Sequence, residues 1–262
     1  MKNEMKISII TVSYNSAETI SDTLRSVEQQ TYQNFEHLII DGNSKDLTIQ
    51  IIEKSKHPRL FVISEQDEGI YDAMNKGLVK ASGEVIGFLN SDDFYSDPIV
   101  LEKISAAFKD DSVEACFADL DYVTKDAKIV SRKWKSKAFK PGDFAKGWCP
   151  AHPTFYIRRS ALERMGFFDR TFKLASDVEF MMRYLECGSV KSTYIPHVLV
   201  RMRIGGVTNK NWINIVNQNK EIFLALKKNA ISFNPIVFFL HKIYSRALQL
   251  ISAHISRNKI FK

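Results

Sequence analysis

Four short apolar runs, each giving way to a helical pattern, constrain this chain more than any other feature. "KISIITV" (6–12) is β-branched and leads to Asn15, a predicted helix cap with Glu18 three residues on, then to Ile20, Leu24 and Val27 at helical spacing. "FEHLIID" (35–41) runs into a polar turn, "GNSKD", and a helix through Ile51 and Ile52. "LFVIS" (60–64) precedes a helix with Ala73, Met74, Gly77, Leu78 and Ala81 on one side, and "EVIGFL" (84–89) makes a fourth strand. Strands alternating with helices predict an α/β fold, a Rossmann-like, mainly parallel central sheet covered by helices. Ligands bind beyond the carboxyl ends of such strands.

The second half is less regular. Strands are predicted near 113–119, 127–134, 153–158 and 190–202, a helix over about 177–187, and helices from about 211 onward. With 262 residues, 45% of them hydrophobic, the chain can fill a core of its own. Cys116, Cys149 and Cys187 are odd in number and far apart, which fits neither a disulfide framework nor a CxxC metal site, so they read as reduced thiols. A first strand at about Lys6 leaves no room for a signal peptide, and no uninterrupted apolar run reaches the ~18 residues of a membrane span.

Charge is divided unevenly. Residues 1–189 hold 25 Lys+Arg and 29 Asp+Glu, a balance of −4, whereas residues 190–262 hold 12 basic residues and only Glu221, a balance of +11. The basic part therefore predicts an anionic partner surface, nucleic acid or acidic lipid.

Acids gather where the strands end. Asp41 closes the second run, Asp67 follows the third, and Asp92 with Asp93 follows the fourth. In a parallel sheet these carboxylates share one edge and repel one another unless a cation sits among them. No GxGxxG follows the first strand and no GxxxxGK[ST] occurs, so the usual phosphate-gripping loops are missing. In an extended segment Asn90 and Asp92 point one way and Ser91 and Asp93 the other. A hard ion such as Mg²⁺ or Mn²⁺ needs only one or two such carboxylates, completing its shell with substrate phosphates and water. An Asp-Asp pair is also ordinary turn chemistry, as Asp41 and Asp67 are ordinary in loops; it is the repetition at successive strand ends that points to a site.

"IITVSYNSAETISDTLRSVEQQTYQNFEHLIIDGNSKDLT", "SEQDEGIYDAMNKGLVKASGEVIGFLNSDDFY" and "GFFDRTFKLASDVEFMMRY" together resemble family 2 inverting glycosyltransferases of GT-A fold, over roughly residues 6–208. The resemblance implies a nucleotide-sugar half (about 1–110), an acceptor half (about 111–208) and a helical extension (209–262). It implies a UDP-sugar donor with Mn²⁺ or Mg²⁺ on the leaving group. It places Val12, Tyr14, Asp41, Asp67, Asn75, Asn90, Ser91 and Asp92 on the nucleotide sugar, with Asp41 on the base, Asn90 at the first position of the DxD motif and Asp92 as metal ligand, Asp93 assisting. Gly42 stands where the family often has a second Asp. "ASDVEF" makes Asp177 the general base. Trp148 is implied to stack on an acceptor sugar, His152 to donate to the acceptor or a phosphate, and Arg203, before Gly205 and Gly206, to sit on a mobile loop over the diphosphate. Ser176 with Glu179 also reads as a capping box, and an acid in the first helical turn is favoured by the helix dipole whatever its chemistry. A core-edge Trp, a satisfied His and a solvated Arg are the plain readings of the last three.

From Pro235 onward Ile236, Phe239, Leu240, Ile243, Ala247, Leu250 and Ile251 recur at helical spacing, with Lys242, Arg246, Gln249 and Arg257 on another side. This predicts an amphipathic helix on a membrane surface, its cations near acidic lipid; packing on the domain is the alternative. No nucleic-acid motif accompanies the basic stretch, so lipid is expected rather than nucleic acid.

Together these expectations describe a peripheral enzyme on the cytoplasmic face of the bacterial inner membrane. It moves one hexose, galactose or glucose in β-1,3 linkage, from a UDP-sugar to GlcNAc-diphospho-undecaprenol in O-antigen or surface-polysaccharide assembly. A catalytically inactive sugar-nucleotide-binding scaffold is the rival that Asn90 keeps open. A sugar-nucleotide pyrophosphorylase would need a glycine-rich, Arg-containing loop where "VSYNSAETI" stands.

Overall fold

The computed structural model describes residues 4–55, 57–205 and 212–260. The four predicted strands form as β1 (Ile7–Ser13), β2 (Phe35–Asp41), β3 (Leu60–Ser64) and β4 (Val85–Phe88), parallel throughout in the order β3-β2-β1-β4. Every residue of β1 and β2 is buried, as uninterrupted apolar strands require when both faces are covered. The covering helices are α1 (Ile20–Glu28), α2 (Thr48–Lys54) and α3 (Ile70–Lys80). α3 lies so close to the sheet that a Cβ on Gly77 would come within 2.5 Å of Ile10 Cγ2.

After β4 come β5 (Phe94–Tyr95), α4 (Val100–Ala107), β6 (Ala115–Val123), β7 (Val130–Trp134), β8 (Tyr156–Arg158), α5 (Arg159–Met165), α6 (Ser176–Met182) and β9 (Ser192–Arg203). One π-helical turn, Arg183–Cys187, prolongs α6, so the predicted 177–187 helix is built from two geometries. β8 runs antiparallel to both β4 and β6 and thereby joins the two halves in one sheet, β3-β2-β1-β4-β8-β6-β9-β5; β7 pairs with the later residues of β6, on the edge whose start β8 holds.

Three local expectations are corrected. Asn15 does not cap α1. It adopts a left-handed backbone (φ 49°), which asparagine tolerates, while α1 starts at Ile20 without a side-chain cap. Residues 90–93 are not extended, because Asp93 N–H donates to the Asn90 carbonyl at 3.0 Å and closes a turn, so strand alternation no longer decides which acids face together. The Ser176–Glu179 capping box does not form either: Ser176 Oγ donates to the Asp169 carbonyl, and Glu179 pairs with Arg183 Nε at 3.0 Å.

α7 (Trp212–Lys228) and α8 (Pro235–Ile260) follow, and Phe238 anchors the start of α8 in the core. The amphipathic helix is present, but its orientation inverts the expectation. Its outward side is apolar, with Ile236, Leu240, Ile243 and Tyr244 all 63–70% exposed. Its other side, Phe238, Lys242, Ser245, Arg246 and Gln249, lines a cavity against the domain, with Arg246 still exposed. The side chain of Arg257, and Gly206, lie outside the described residues. Among the described residues no helix is long and apolar enough to cross a membrane.

At the amino ends of the strands, the end away from the acids, Glu36 accepts hydrogen bonds from Lys6 Nζ (2.7 Å), Ser8 Oγ (2.6 Å), and Ser82 N–H (2.6 Å) and Oγ (2.7 Å). Burial pushes this carboxyl up, but those donors outweigh it and hold it at about 2, below the ordinary 4.5. A lowered folded-state value adds stability above pH 4.5, and that stability drains away as pH falls toward 2. Glu36→Gln should therefore cost on the order of 2–3 kcal/mol near neutrality, a deficit that shrinks from pH 5 downward in denaturant titrations.

Candidate active site

The loops at the carboxyl ends of β1 and β2 are stitched together. Asn15 N–H donates to Ser44 Oγ and Asn15 Oδ1 accepts from Lys45 N–H, each at 2.8 Å, while Ser16 N–H donates to Thr48 Oγ1 at 2.7 Å. The left-handed turn at Asn15 makes this possible. Asp41 sits beneath, wholly buried. Ser13 Oγ, Ser44 N–H, Ser44 Oγ and Ser64 Oγ donate to it at 2.5–3.0 Å, two to each oxygen. Its lone pairs are thus filled, so direct contact with a base requires exchanging one of these donors.

Gly42 explains why a second acid is missing there. A Cβ at this position would lie 2.4 Å from Asp67 Oδ2 and 3.4 Å from the Tyr14 ring, so the glycine leaves the space that Asp67 occupies. Tyr14 is 62% exposed and flanks this opening, whereas Val12 is packed in the core and presents backbone alone. Ser91 Oγ lies 2.8 Å from Ser16 Oγ, which brings the 90–93 turn against the same loops.

That turn is electrostatically incomplete. Burial pushes the Asp92 carboxyl up; Asp93, 0% exposed, is pushed well up by burial and then by the charge of Asp92. Asp93 accepts from Arg203 N–H at 3.3 Å and from Asn90 Nδ2 at 3.4 Å, both long, and Asn90 Oδ1 is buried without a partner. Two disfavoured anions beside an orphaned amide oxygen suit a divalent cation. Among the described residues no three His, Cys, Asp or Glu side chains form a metal cluster, so such an ion would draw most of its ligands from substrate and water.

Arg203 is not on a loop over this site. It ends β9, is 7% exposed, and ties the turn down from below: Nη1 donates to the Asp92 carbonyl at 2.8 Å, Nε to the Lys125 carbonyl at 3.0 Å, and Nη2 pairs with Asp22. Asn75 likewise turns away from the cleft, its amide pairing with both backbone groups of Phe168 (2.9 and 3.0 Å) and so pinning α3 to the loop before α6.

Asp177 stands in the first turn of α6. Its Oδ1 accepts from Tyr71 Oη at 3.1 Å and from Val178 N–H at 2.9 Å; among the described residues its other oxygen accepts none. Tyr71 could not be singled out from sequence, since its role needs α3 and α6 side by side. Burial, followed by the charge of Asp177, pushes its phenol well up, so it remains a donor. Asp67 Oδ1 accepts from Gly69 N–H at 2.9 Å just ahead of α3, the helix that carries Tyr71.

His152 stacks on Phe88 (5.3 Å) and meets Phe168 edge-on (5.6 Å), its Nε2 buried without a partner. Burial pushes it down, with Asp177 opposing, which favours the uncharged ring. Trp148 packs against Phe117, Phe139 and Phe144 under Lys137 and also lines the cavity beneath α8.

A parallel half ending in acids, continued by β8, β6 and β9, defines a GT-A glycosyltransferase. The chain belongs to glycosyltransferase family 2, whose model, "Glycosyl transferase family 2", matches residues 8–174. An uncharacterized glycosyltransferase of Mycobacterium tuberculosis is 30% identical over 192 residues, 70% of each chain. The PGL/p-HBAD biosynthesis glycosyltransferase of Mycobacterium bovis is 27% identical over 209 residues, 77% of this chain and 78% of that one. Among solved structures, Staphylococcus aureus TarS 1–349 with UDP-GlcNAc aligns at TM-score 0.66 and 20% identity, covering 85% of this chain and 66% of that one; against the longer TarS chain the coverage is 40%. The mannosyltransferase PcManGT of Pyrobaculum calidifontis, with GDP-Man and Mn²⁺, aligns at TM-score 0.65 and 19% identity, covering 97% and 74%.

Because Arg203 bridges β9, α1 and the 90–93 turn, Arg203→Met should lower unfolding free energy by about 2–3 kcal/mol, read from the urea midpoint. An unchanged midpoint would mean these bonds contribute nothing net.

Proposed function

We propose that the chain transfers one hexose from a UDP-sugar to a lipid-diphosphate-linked sugar, with inversion, in bacterial surface-polysaccharide assembly. The observation that carries this reading is Asp177, held by Tyr71 and Val178 through one oxygen while the other is left to accept a proton. The donor rests in the cleft between Tyr14, Asp41, Asp67 and the 90–93 turn, where TarS supplies the precedent of a bound UDP-sugar. Asp92 and Asp93, with Asn90 Oδ1, would hold Mn²⁺ or Mg²⁺, as the Mn²⁺ complex of PcManGT suggests. When bound, the ion offsets charge developing on the departing diphosphate.

This chain's residues supply the rest. The Ser13–Ser44–Ser64 cradle around Asp41 keeps the cleft floor rigid, Ser91 with Ser16 closes its side, and Tyr71 aims the Asp177 carboxylate. Asp177 takes the proton of the acceptor hydroxyl as that oxygen bonds to the anomeric carbon and the UDP oxygen leaves. The choice of galactose or glucose, a β-1,3 linkage and a GlcNAc acceptor remain part of the proposal, as does a bacterial inner-membrane site on the cytoplasmic face. Attachment would be through the outward apolar side of α8, and the excess of cations after residue 190 favours an acidic bilayer.

Incubation with a panel of labelled UDP-sugars and a synthetic GlcNAc-diphospho-lipid tests this. Wild-type chain should transfer one sugar from one preferred donor. Asp177→Asn should lose at least ~10³-fold in turnover yet bind UDP normally, and Tyr71→Phe should lose roughly tenfold. Normal UDP binding without turnover by the wild type across the panel would replace the transferase with a binding scaffold.

A further inference from the structure

We propose that the cavity beneath α8 is an anion site that takes the diphosphate of the acceptor lipid, an assignment that rests on the lipid-linked acceptor proposed above. The cavity, of about 100 Å³, lies between β7, the 144–149 segment and the inward side of α8. Small-molecule sites usually span ~300–1,000 Å³, so this one suits a head group and not a sugar nucleotide.

Three cations line it: Arg132 from β7, and Lys242 and Arg246 from α8. No lining residue is acidic, and among the described residues none of the three cations has a carboxylate partner. The cations instead work against one another. Lys242 is pushed down by burial, Cys149 opposing and Arg246 adding to it; Arg132 is pushed down by burial, Tyr122 opposing and Arg246 adding to it. Arg132 and Lys242, partly buried without counter-charge beside the exposed Arg246, are relieved by an anion, and diphosphate offers several oxygens to share among the three.

Two of the three cations are also held in place. Arg132 lies 3.6 Å over the Tyr122 ring, and Lys242 Nζ donates to Asn219 Oδ1 of α7 at 2.7 Å. Stacked and bonded side chains lose less freedom when a ligand arrives.

Position supplies the second argument. Cys149 and Val178 line the cavity; the charge of Asp177 bears on the Cys149 thiol, and Val178 follows Asp177 in α6. A diphosphate held here puts its sugar toward the base. On the opposite side of α8, Leu240, Ile243, Leu248 and Ile251 face outward, each 45–67% exposed. One helix thus presents an apolar side where a lipid tail runs and a cationic side where its phosphates sit.

The test uses the full chain saturated with UDP, so that the donor cleft cannot report. Decyl diphosphate is titrated into the wild type and into Arg132→Gln/Lys242→Gln/Arg246→Gln, alongside Lys242→Gln alone in case the triple variant misfolds. Sedimentation with phosphatidylcholine vesicles, with and without phosphatidylglycerol, runs in parallel. The expected result is saturable binding of decyl diphosphate, weakened at least tenfold in the triple variant and severalfold in Lys242→Gln, with unchanged UDP affinity showing that each is folded. Equal binding by wild type and variants overturns the proposal. So does binding that appears only with phosphatidylglycerol vesicles, which would make the cations a bulk-lipid contact. Because no transfer is measured, a failure of the transferase reading would leave this result standing, and the reverse also holds.

Discussion

How buried carboxylates are neutralised decides what each part of this protein can do. Glu36 and Asp41, at opposite ends of the parallel strands, each receive four short hydrogen bonds, so both are structural fixtures. Asp92 and Asp93 share a turn whose donors are long or absent, beside an amide oxygen with no partner. The parallel strands are thus closed by full hydrogen-bond shells at Glu36 and Asp41, and the 90–93 turn is not. Arg203 makes this tenable by gripping the Asp92 carbonyl and Asp22 while leaving the Asp92 carboxylate uncompensated by any short bond.

The second half works by the same logic with the sign reversed. Two of the cations behind the charge asymmetry, Lys242 and Arg246, line the cavity beneath α8, and the apolar residues of the opposite side turn out. An outward apolar side on a basic helix makes sense where the next layer is hydrocarbon. An inward cationic side makes sense where the ligand is an anion.

Much of the parallel half was legible. The runs at 35–41 and 60–64 match β2 and β3 to the residue, because β-branched stretches bounded by polar turns leave little choice of register. The acids at strand ends were legible because a parallel sheet places its carboxyl ends together. α4 was missed although Val100, Leu101 and Ile104 carry a helical signal, buried as they are. What escaped were roles fixed by a distant partner: Asn75 spends its amide on Phe168, Tyr71 meets Asp177 across 106 residues, and Arg203 reaches Asp22 across 181. The turn at 90–93 escaped because a single local hydrogen bond overrides strand alternation. The facing of α8 escaped because periodicity shows that a helix has two sides without saying which one meets the domain.

The central claim is that the Asn90–Asp93 turn binds a divalent cation jointly with the nucleotide diphosphate. Titration of Mn²⁺ into the wild-type chain and into Asp92→Asn, with and without UDP, tests it most directly. The account predicts weak Mn²⁺ binding alone, binding strengthened at least tenfold by UDP, and loss of that coupling in Asp92→Asn. UDP binding of equal strength in Mn²⁺ and in EDTA, unaffected by Asp92→Asn, would contradict it.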